Sequence, residues 1–374
     1  MAKTSFVPNP ARIKVIGLGG GGCNAITRMV REEIQGVDFI AVNTDAQALA
    51  ITEAPTRIQL GEKVSKGLGV GGDHNLGQKA AEESRDDLKE LVTGADMVFI
   101  TCGMGGGTGT GSAPVVAEIA KQSGALTIAV VTRPFTFEGN HRCKIADEGI
   151  VRLLGKVDTL IIIPNDRLLN LCDQRTAVDS AFIMADDVLR HGVQAIAEVI
   201  TVPGLINLDF ADVKAVMRDA GPAWMSIGRG SGQNRAIDAA KEALASPLLD
   251  VSIDGSRGVL FNVVGGANLT LVEVNEAAEV IKQAVDCEAN IIFGVAHDPN
   301  MDKDLKITLI ATGFKSKAGL TDSSEDDLNQ LLKGMKSEEE LDVPSFLRRP
   351  LFSHRRQAIT PSTKLIKTPL HTRE

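Results

Sequence analysis

Apolar residues fall into two spacings along the chain. Short runs such as "RIKVIGL" (12–18), "DFIAVNTD" (38–45), "DMVFITCG" (96–103), "LTIAVVTRPF" (126–135) and "DTLIIIPND" (158–166) read as buried strands. Between them, residues 24–34, 74–93, 113–124 and 140–157 carry helical periodicity. Buried strands alternating with helices predict a parallel sheet covered on both faces. A long helical pattern follows at 178–201, closed by Pro203 and Gly204. Residues 204–217 lead into another helix, with Asp212 near its start. The pattern then changes. "AWMSIGRG", "GVLFNVVGG", "ANIIFGVAHD" and "LKITLIATGF" read as strands, with helices at about 233–245 and 270–286. They predict a second, smaller mixed α/β domain over 222–314. Residues 1–11 form an arm kept irregular by Pro8 and Pro10. After Phe314 the apolar pattern fades into a polar, mostly acidic linker, 315–340. A short island, "LDVPSFLRRP" (341–350), and a basic tail, 351–374, complete the chain.

Two glycine clusters interrupt the strand–helix pattern, "GLGGGGCNAI" (17–26) and "GMGGGTGTGSAP" (103–114). Each follows a strand and precedes a helix, where ligands of parallel sheets bind. Glycine lets backbone N–H groups approach a phosphate with no Cβ in the way. One such loop suits a diphosphate, and two converging loops suit a triphosphate with a metal. The first cluster alone leaves alternatives open. Gly17, Gly19 and Gly22 satisfy G-x-G-x-x-G, with Asp38 or Asp45 about 20 residues further on, as in an NAD-dependent oxidoreductase. Tight packing is the other reading of these glycines. No G-x-x-x-x-G-K-[ST] occurs and neither cluster holds a lysine. Phosphate charge must then meet backbone dipoles, a cation and Arg142.

Composition narrows the class. A net charge of -8, 3% aromatic residues and no Tyr argue against a specific nucleic-acid binder. The five cysteines form no C-x-x-C pair, so a reducing cytoplasm is the expected setting. No stretch is long and apolar enough to predict a membrane span.

"GGGTGTGSAP" resembles the tubulin signature, and five further motifs appear in the order of the FtsZ family of bacterial tubulin relatives. These are "GGGGCN" (19–24), "NTDAQAL" (43–49), "RPFTFEGNHR" (133–142), "NDRLL" (165–169) and "NLDFADV" (207–213). The resemblance covers about 12–314 and resumes at "LDVPSFLRR". It implies a Rossmann-like GTP-binding domain at 12–177, a central helix at 178–203, and a catalytic loop with its helix at 204–221, ahead of the second domain. It further implies GTP and GDP as ligands, Mg²⁺ with the nucleotide and a monovalent cation as a further candidate. Head-to-tail self-assembly and assembly-dependent GTP hydrolysis at a cytoplasmic division ring would follow.

By resemblance, Gly20, Gly21, Gly22, Cys23 and Asn24 form the first phosphate loop, with the Cys23 side chain expected to pack. Gly103, Gly105, Gly106, Gly107, Thr108 and Gly109 form the second, beside Thr132. Glu138 and Arg142 match ribose and phosphate contacts, although their i,i+4 spacing also suits a surface ion pair. Asn165 and Asp186 match positions near the guanine, with Phe182 stacking on it; from the residues alone, Phe182 is more often core and Asp186 a solvated helix face. Asn207, Asp209 and Asp212 match the catalytic stretch, contributed to a neighbour's pocket. As plain sequence, such acids are N-caps or first-turn charges, stabilising by about 0.3–1 kcal/mol. Leu341 to Arg349 match a peptide that docks on membrane-tethering and regulatory proteins, so membrane association is expected to be indirect. The basic tail departs from the family pattern and leaves solvation and electrostatic contact with acidic lipid or nucleic acid both open.

Overall fold

The computed structural model describes residues 11–169, 177–201, 209–246, 256–298, 301 and 303–314. Residues 1–10 of the expected arm, Cys172, Asn207, the linker, the 341–350 peptide and the basic tail lie outside them.

The first part of the chain runs β1 (Ile13–Leu18), α1 (Gly19–Arg31), β2 (Val37–Asn43), α2 (Ala46–Ile51), β3 (Thr56–Gln59), α3 (Glu62–Ser65), α4 (His74–Glu83), α5 (Arg85–Val92), β4 (Met97–Gly103) and α6 (Thr108–Gln122). Then come β5 (Leu126–Arg133), a 3₁₀ turn at Thr136–Glu138, α7 (Asn140–Leu154), β6 (Thr159–Pro164), α8 (Asn165–Leu169), α9 (Val178–Thr201) and α10 (Phe210–Met217). The last part is β7 (Gly221–Ser231), α11 (Arg235–Leu244), β8 (Gly258–Gly265), α12 (Leu271–Gln283), β9 (Asn290–His297) and β10 (Asp304–Thr312). All strands join one sheet in the order β3-β2-β1-β4-β5-β6-β7-β10-β8-β9. β3 through β7 are parallel, and β10 is antiparallel to both β7 and β8.

Alternate residues of each parallel strand enter different cores. Val15, Phe99, Ile128 and Ile161 pack with α1, α9 and α10 on one face. Ile16, Ile100, Ala129 and Ile162 pack with α4, α5, α6 and α7 on the other. Both faces are covered, so the strands are apolar throughout, as the sequence pattern requires. β8 and β10 form a third core with α11 and α12 through Phe261, Leu305 and Ile307. Among the described residues no helix is long and apolar enough to cross a membrane.

The helix starts at the glycine runs and the pattern at 74–93 differ most from expectation. α1 begins at Gly19, inside the glycine run expected to be loop, and α6 begins at Thr108 rather than 113. Glycine is a poor helix former, but close packing overrides propensity here: a Cβ on Gly22 would lie 2.5 Å from the Thr101 carbonyl oxygen. The pattern at 74–93 divides at Ser84, whose hydroxyl accepts a hydrogen bond from the Gly61 N–H at 3.1 Å.

Two edges of the parallel sheet matter for function. The carboxyl edge, at the ends of β1, β4, β5 and β6, carries the glycine runs, the 3₁₀ turn and α8. α9, 24 residues or about 36 Å long, runs from beside this edge to the amino edge. There Thr201 abuts Gly36, just ahead of β2. α10 ends at that same amino edge, where the Met217 carbonyl accepts from the Thr159 hydroxyl at the start of β6.

Candidate functional site

The two glycine runs meet backbone to backbone at the switch between β1 and β4, the place where an open α/β sheet forms its crevice. A Cβ on Gly19 would stand 2.9 Å from the Gly109 nitrogen, and one on Gly109 would stand 3.1 Å from the Gly103 carbonyl oxygen. Other glycines serve packing: a Cβ on Gly107 would meet Val70 at 2.6 Å, and one on Gly111 the His74 carbonyl oxygen at 2.2 Å. Gly20 and Gly106 differ, because nothing lies within 4 Å of where their Cβ would be. Gly21 has only the Gly103 backbone at 3.4 Å. The open glycines therefore border free space at the starts of α1 and α6.

Both helices begin without a side-chain cap and without an acid in the first turn. Their leading N–H groups are unclaimed by side chains, and each helix dipole is positive there. That combination holds an anion without a lysine. The Thr108 hydroxyl is fixed by Thr44 at 2.7 Å, and the Gly105 N–H donates to the Thr110 hydroxyl at 2.9 Å. Thr132 is buried, and its carbonyl accepts from the Met104 N–H at 2.9 Å.

A second cluster lies along the same edge. Phe182 on α9 meets Phe135 edge-on at 5.6 Å and Phe137 at 6.5 Å, and it is 40% exposed. One turn further along α9, Asp186 pairs with Arg28 of α1 at 3.3 Å. Burial pushes the Asp186 carboxyl up to about 6, with Arg28 opposing the rise. Asn165 opens α8, and among the described residues its buried Oδ1 has no hydrogen-bond partner. A buried amide oxygen without a partner costs about 1–3 kcal/mol, so a donor brought to Asn165 would be favoured. Unclaimed N–H groups, open glycines and an orphaned acceptor together fit a nucleotide.

The acidic pair is elsewhere. Asp209 sits at the N-cap position of α10 but makes no side-chain cap, and Asp212 follows in the first turn. Both are exposed, with no ion pair or side-chain hydrogen bond among the described residues. α10 has 8 residues, about 12 Å, and ends at the amino edge of the sheet. β5 alone has 8 residues, about 26 Å. One chain therefore does not bring Asp209 and Asp212 to its own glycine runs.

Residues 12–173 match the family model "Tubulin/FtsZ family, GTPase domain", and residues 221–315 match "FtsZ family, C-terminal domain". The chain belongs to the tubulin/FtsZ family. It is similar to FtsZ of M. jannaschii, solved as an empty dimer, at 46% identity and a TM-score of 0.80 over 85% of this chain and 96% of that one. A point variant of that FtsZ matches at 48% identity and a TM-score of 0.80, over 83% and 94%. CetZ1 of Haloferax volcanii, a GDP-bound monomer, shares the fold at 19% identity and a TM-score of 0.70, over 87% and 100%.

As a tubulin/FtsZ GTPase, this chain binds GTP and GDP and hydrolyses GTP. The dinucleotide reading of Gly17, Gly19 and Gly22 has a packing explanation: a Cβ on Gly17 would lie 2.4 Å from the Gly22 carbonyl oxygen. Asp45, one of the acids that reading needed, instead caps α2 through the Gln47 and Ala48 N–H groups. The ion-pair reading of Glu138 and Arg142 is realised, since they pair with each other. Arg142 nonetheless stands over the second glycine run, its carbonyl oxygen 2.8 Å from where a Gly105 Cβ would be. The Cys23 side chain is buried, and burial pushes its thiol up to about 11, out of reactive range.

Sequence reasoning missed a third glycine-rich segment on this edge, "KGLGVGG" (66–72). Gly67, Gly69, Gly71 and Gly72 all take left-handed backbone, which only glycine adopts without strain. Val70 packs against Gly107, while Gly71 and Gly72 face open space. The signal was four glycines in seven residues, but no apolar strand leads into them. Arg28 was also missed; it lies unremarked inside the helical pattern at 24–34.

Proposed function

We propose that this GTPase assembles head-to-tail, each copy's Asp209 and Asp212 completing the nucleotide site of the next, in filaments that form the cytoplasmic division ring. The observation that carries this reading is the separation of the two halves, with the cradle on the carboxyl edge and the acids at the start of α10, the short helix that ends at the amino edge. Stacked copies put one edge against the other. A heterologous contact of that kind repeats without closing, which makes a filament. FtsZ of M. jannaschii forms a dimer in its solved structure, and CetZ2 of H. volcanii a GTPγS-bound protofilament, both in keeping with self-association.

In the assembled site, Gly20, Gly21, Gly106 and the N-termini of α1 and α6 hold the phosphates. Arg142 and Glu138 turn from each other toward phosphate and ribose. Asp186 and Asn165 take the guanine, with Phe182 on its face. The neighbour's Asp212 accepts the proton of the attacking water, while Asp209 and Asn207 orient that water in line with the γ-phosphorus. Phosphoryl transfer needs mostly positioning and charge stabilisation, so bringing these groups together is the catalytic event. Among the described residues no cluster of three or more acids, His or Cys could hold a metal. Mg²⁺, when bound, would ride on the phosphates and neutralise their charge. The peptide at 341–350 would anchor the filament to membrane-tethering proteins.

Phosphate release measured against protein concentration, with light scattering beside it, tests the reading. Specific activity is expected to rise steeply where scattering begins. Constant specific activity across that concentration would remove the shared site.

A further inference from the structure

We propose that Arg28 is a positioning residue for base selection, holding Asp186 in the ionised form that accepts hydrogen bonds from guanine. The proposal rests on the reading of Asp186 as the guanine acceptor and extends it to a residue outside the recognised motifs.

The geometry comes from one helix. Gly20, Asn24 and Arg28 follow each other at i, i+4 and i+8, so they share one face of α1. That face leads from the glycine cradle, at Gly20, to Asp186, at Arg28. Arg28 Nε donates to Asp186 Oδ2 at 3.3 Å, with the side chains 31% and 15% exposed. Among the described residues only Oδ2 of this carboxylate accepts a hydrogen bond, and Oδ1 accepts none.

The surroundings make this cation consequential. α1 contributes Arg28 and no acid, and its other nearby base, Arg31, is taken by Glu53. α9 itself contributes Asp187, which disfavours ionisation of its neighbour. α8 carries Arg167 and Asp166, the latter accepting from the Thr136 N–H at 2.8 Å. Burial and Asp187 therefore push the Asp186 carboxyl upward, with Arg28 opposing them and the balance at about 6. Guanine presents two donor sites, N1–H and the exocyclic N2 amine, and only the carboxylate accepts from both. Protonation puts an O–H against those donors. Guanine binding is thus expected above the Asp186 midpoint and lost as pH falls through it. Removing Arg28 moves that midpoint upward by about one unit or more.

Displacement of a fluorescent GDP analogue from the full-length chain by GDP, IDP and ADP, at pH 5.5 to 8.5, reads this out. For Arg28→Gln, GDP affinity is expected within about twofold of wild type at pH 8.5, about threefold weaker at pH 6.5 and about fivefold weaker at pH 6. The preference for GDP over ADP narrows in step, and Arg28→Lys restores most of it. Should Arg28→Gln fold poorly, Arg28→Ala gives the same comparison. A loss of affinity equal at every pH, or curves superimposable on wild type, would overturn the proposal. Asp186→Asn separates the two claims: retained guanine preference in that variant removes the guanine reading and this proposal together. Lost preference there, with an unmoved midpoint in Arg28→Gln, removes only the role of Arg28.

Discussion

Asp212→Asn is expected to bind GTP as tightly as wild type and to turn it over at least about 100-fold more slowly. The side chain is exposed on the first turn of α10, with no partner among the described residues. Its loss therefore leaves the fold intact, apart from a helix-dipole contribution of about 0.3–1 kcal/mol. Asparagine keeps the shape and removes the basic oxygen, so only proton acceptance and charge are tested. Scattering should show filaments that persist, because spent nucleotide no longer accumulates. Complementation sharpens the result. A chain with a blocked cradle lacks the nucleotide, and Asp212→Asn lacks the acid, so each alone is inactive. Mixed, the second offers a loaded cradle to the intact acids of the first. Roughly a quarter of contacts in a random equimolar mixture would be productive if both chains enter equally. Silence in the mixture, with each parent folded, would place Asp212 in its own chain's chemistry or outside it.

What the sequence could reveal depended on range. The strands were legible because both faces are buried, leaving continuous runs such as residues 159–163 with no polar interruption after Thr159. The cradle was legible because its parts are local: a strand, a glycine run, a helix. Its inner division of labour was invisible. Gly106 and Gly111 sit five residues apart in one motif, and only the arrival of α4, packed beside Gly111, separates an open position from a closed one. α2, β3 and α3 were not legible because four to six residues carry too little periodicity. The Thr44–Thr108 hydrogen bond spans 64 residues, and Arg28–Asp186 spans 158. No local pattern encodes such pairs. For the acids, the family motif supplied a role that residue chemistry alone assigned to helix capping. The structure shows the Asp209 cap is not made.

Two substitutions convert the glycine geometry into opposite outcomes. Gly20→Val places its side chain where nothing lies within 4 Å, at an ordinary helical residue. Valine is a better helix former than glycine by a few tenths of a kcal/mol, so the nucleotide-free melting temperature should hold or rise slightly. The added methyl groups fill the space a phosphate takes above the α1 N-terminus, and GTP affinity should fall at least about 100-fold. Gly111→Ala adds far less and does the reverse. Its Cβ would be 2.2 Å from the His74 carbonyl oxygen and 2.6 Å from the Gln78 nitrogen, both backbone atoms of α4. Backbone cannot rotate away as a side chain does, so α4 must shift, at about 2–3 kcal/mol. Thermal melts would show that loss as a clear drop, while the folded fraction still binds GTP. If Gly20→Val instead melted early and bound normally, the open space beside Gly20 would be no phosphate seat. If Gly111→Ala proved stable and lost GTP, the division between packing and binding glycines would be reversed.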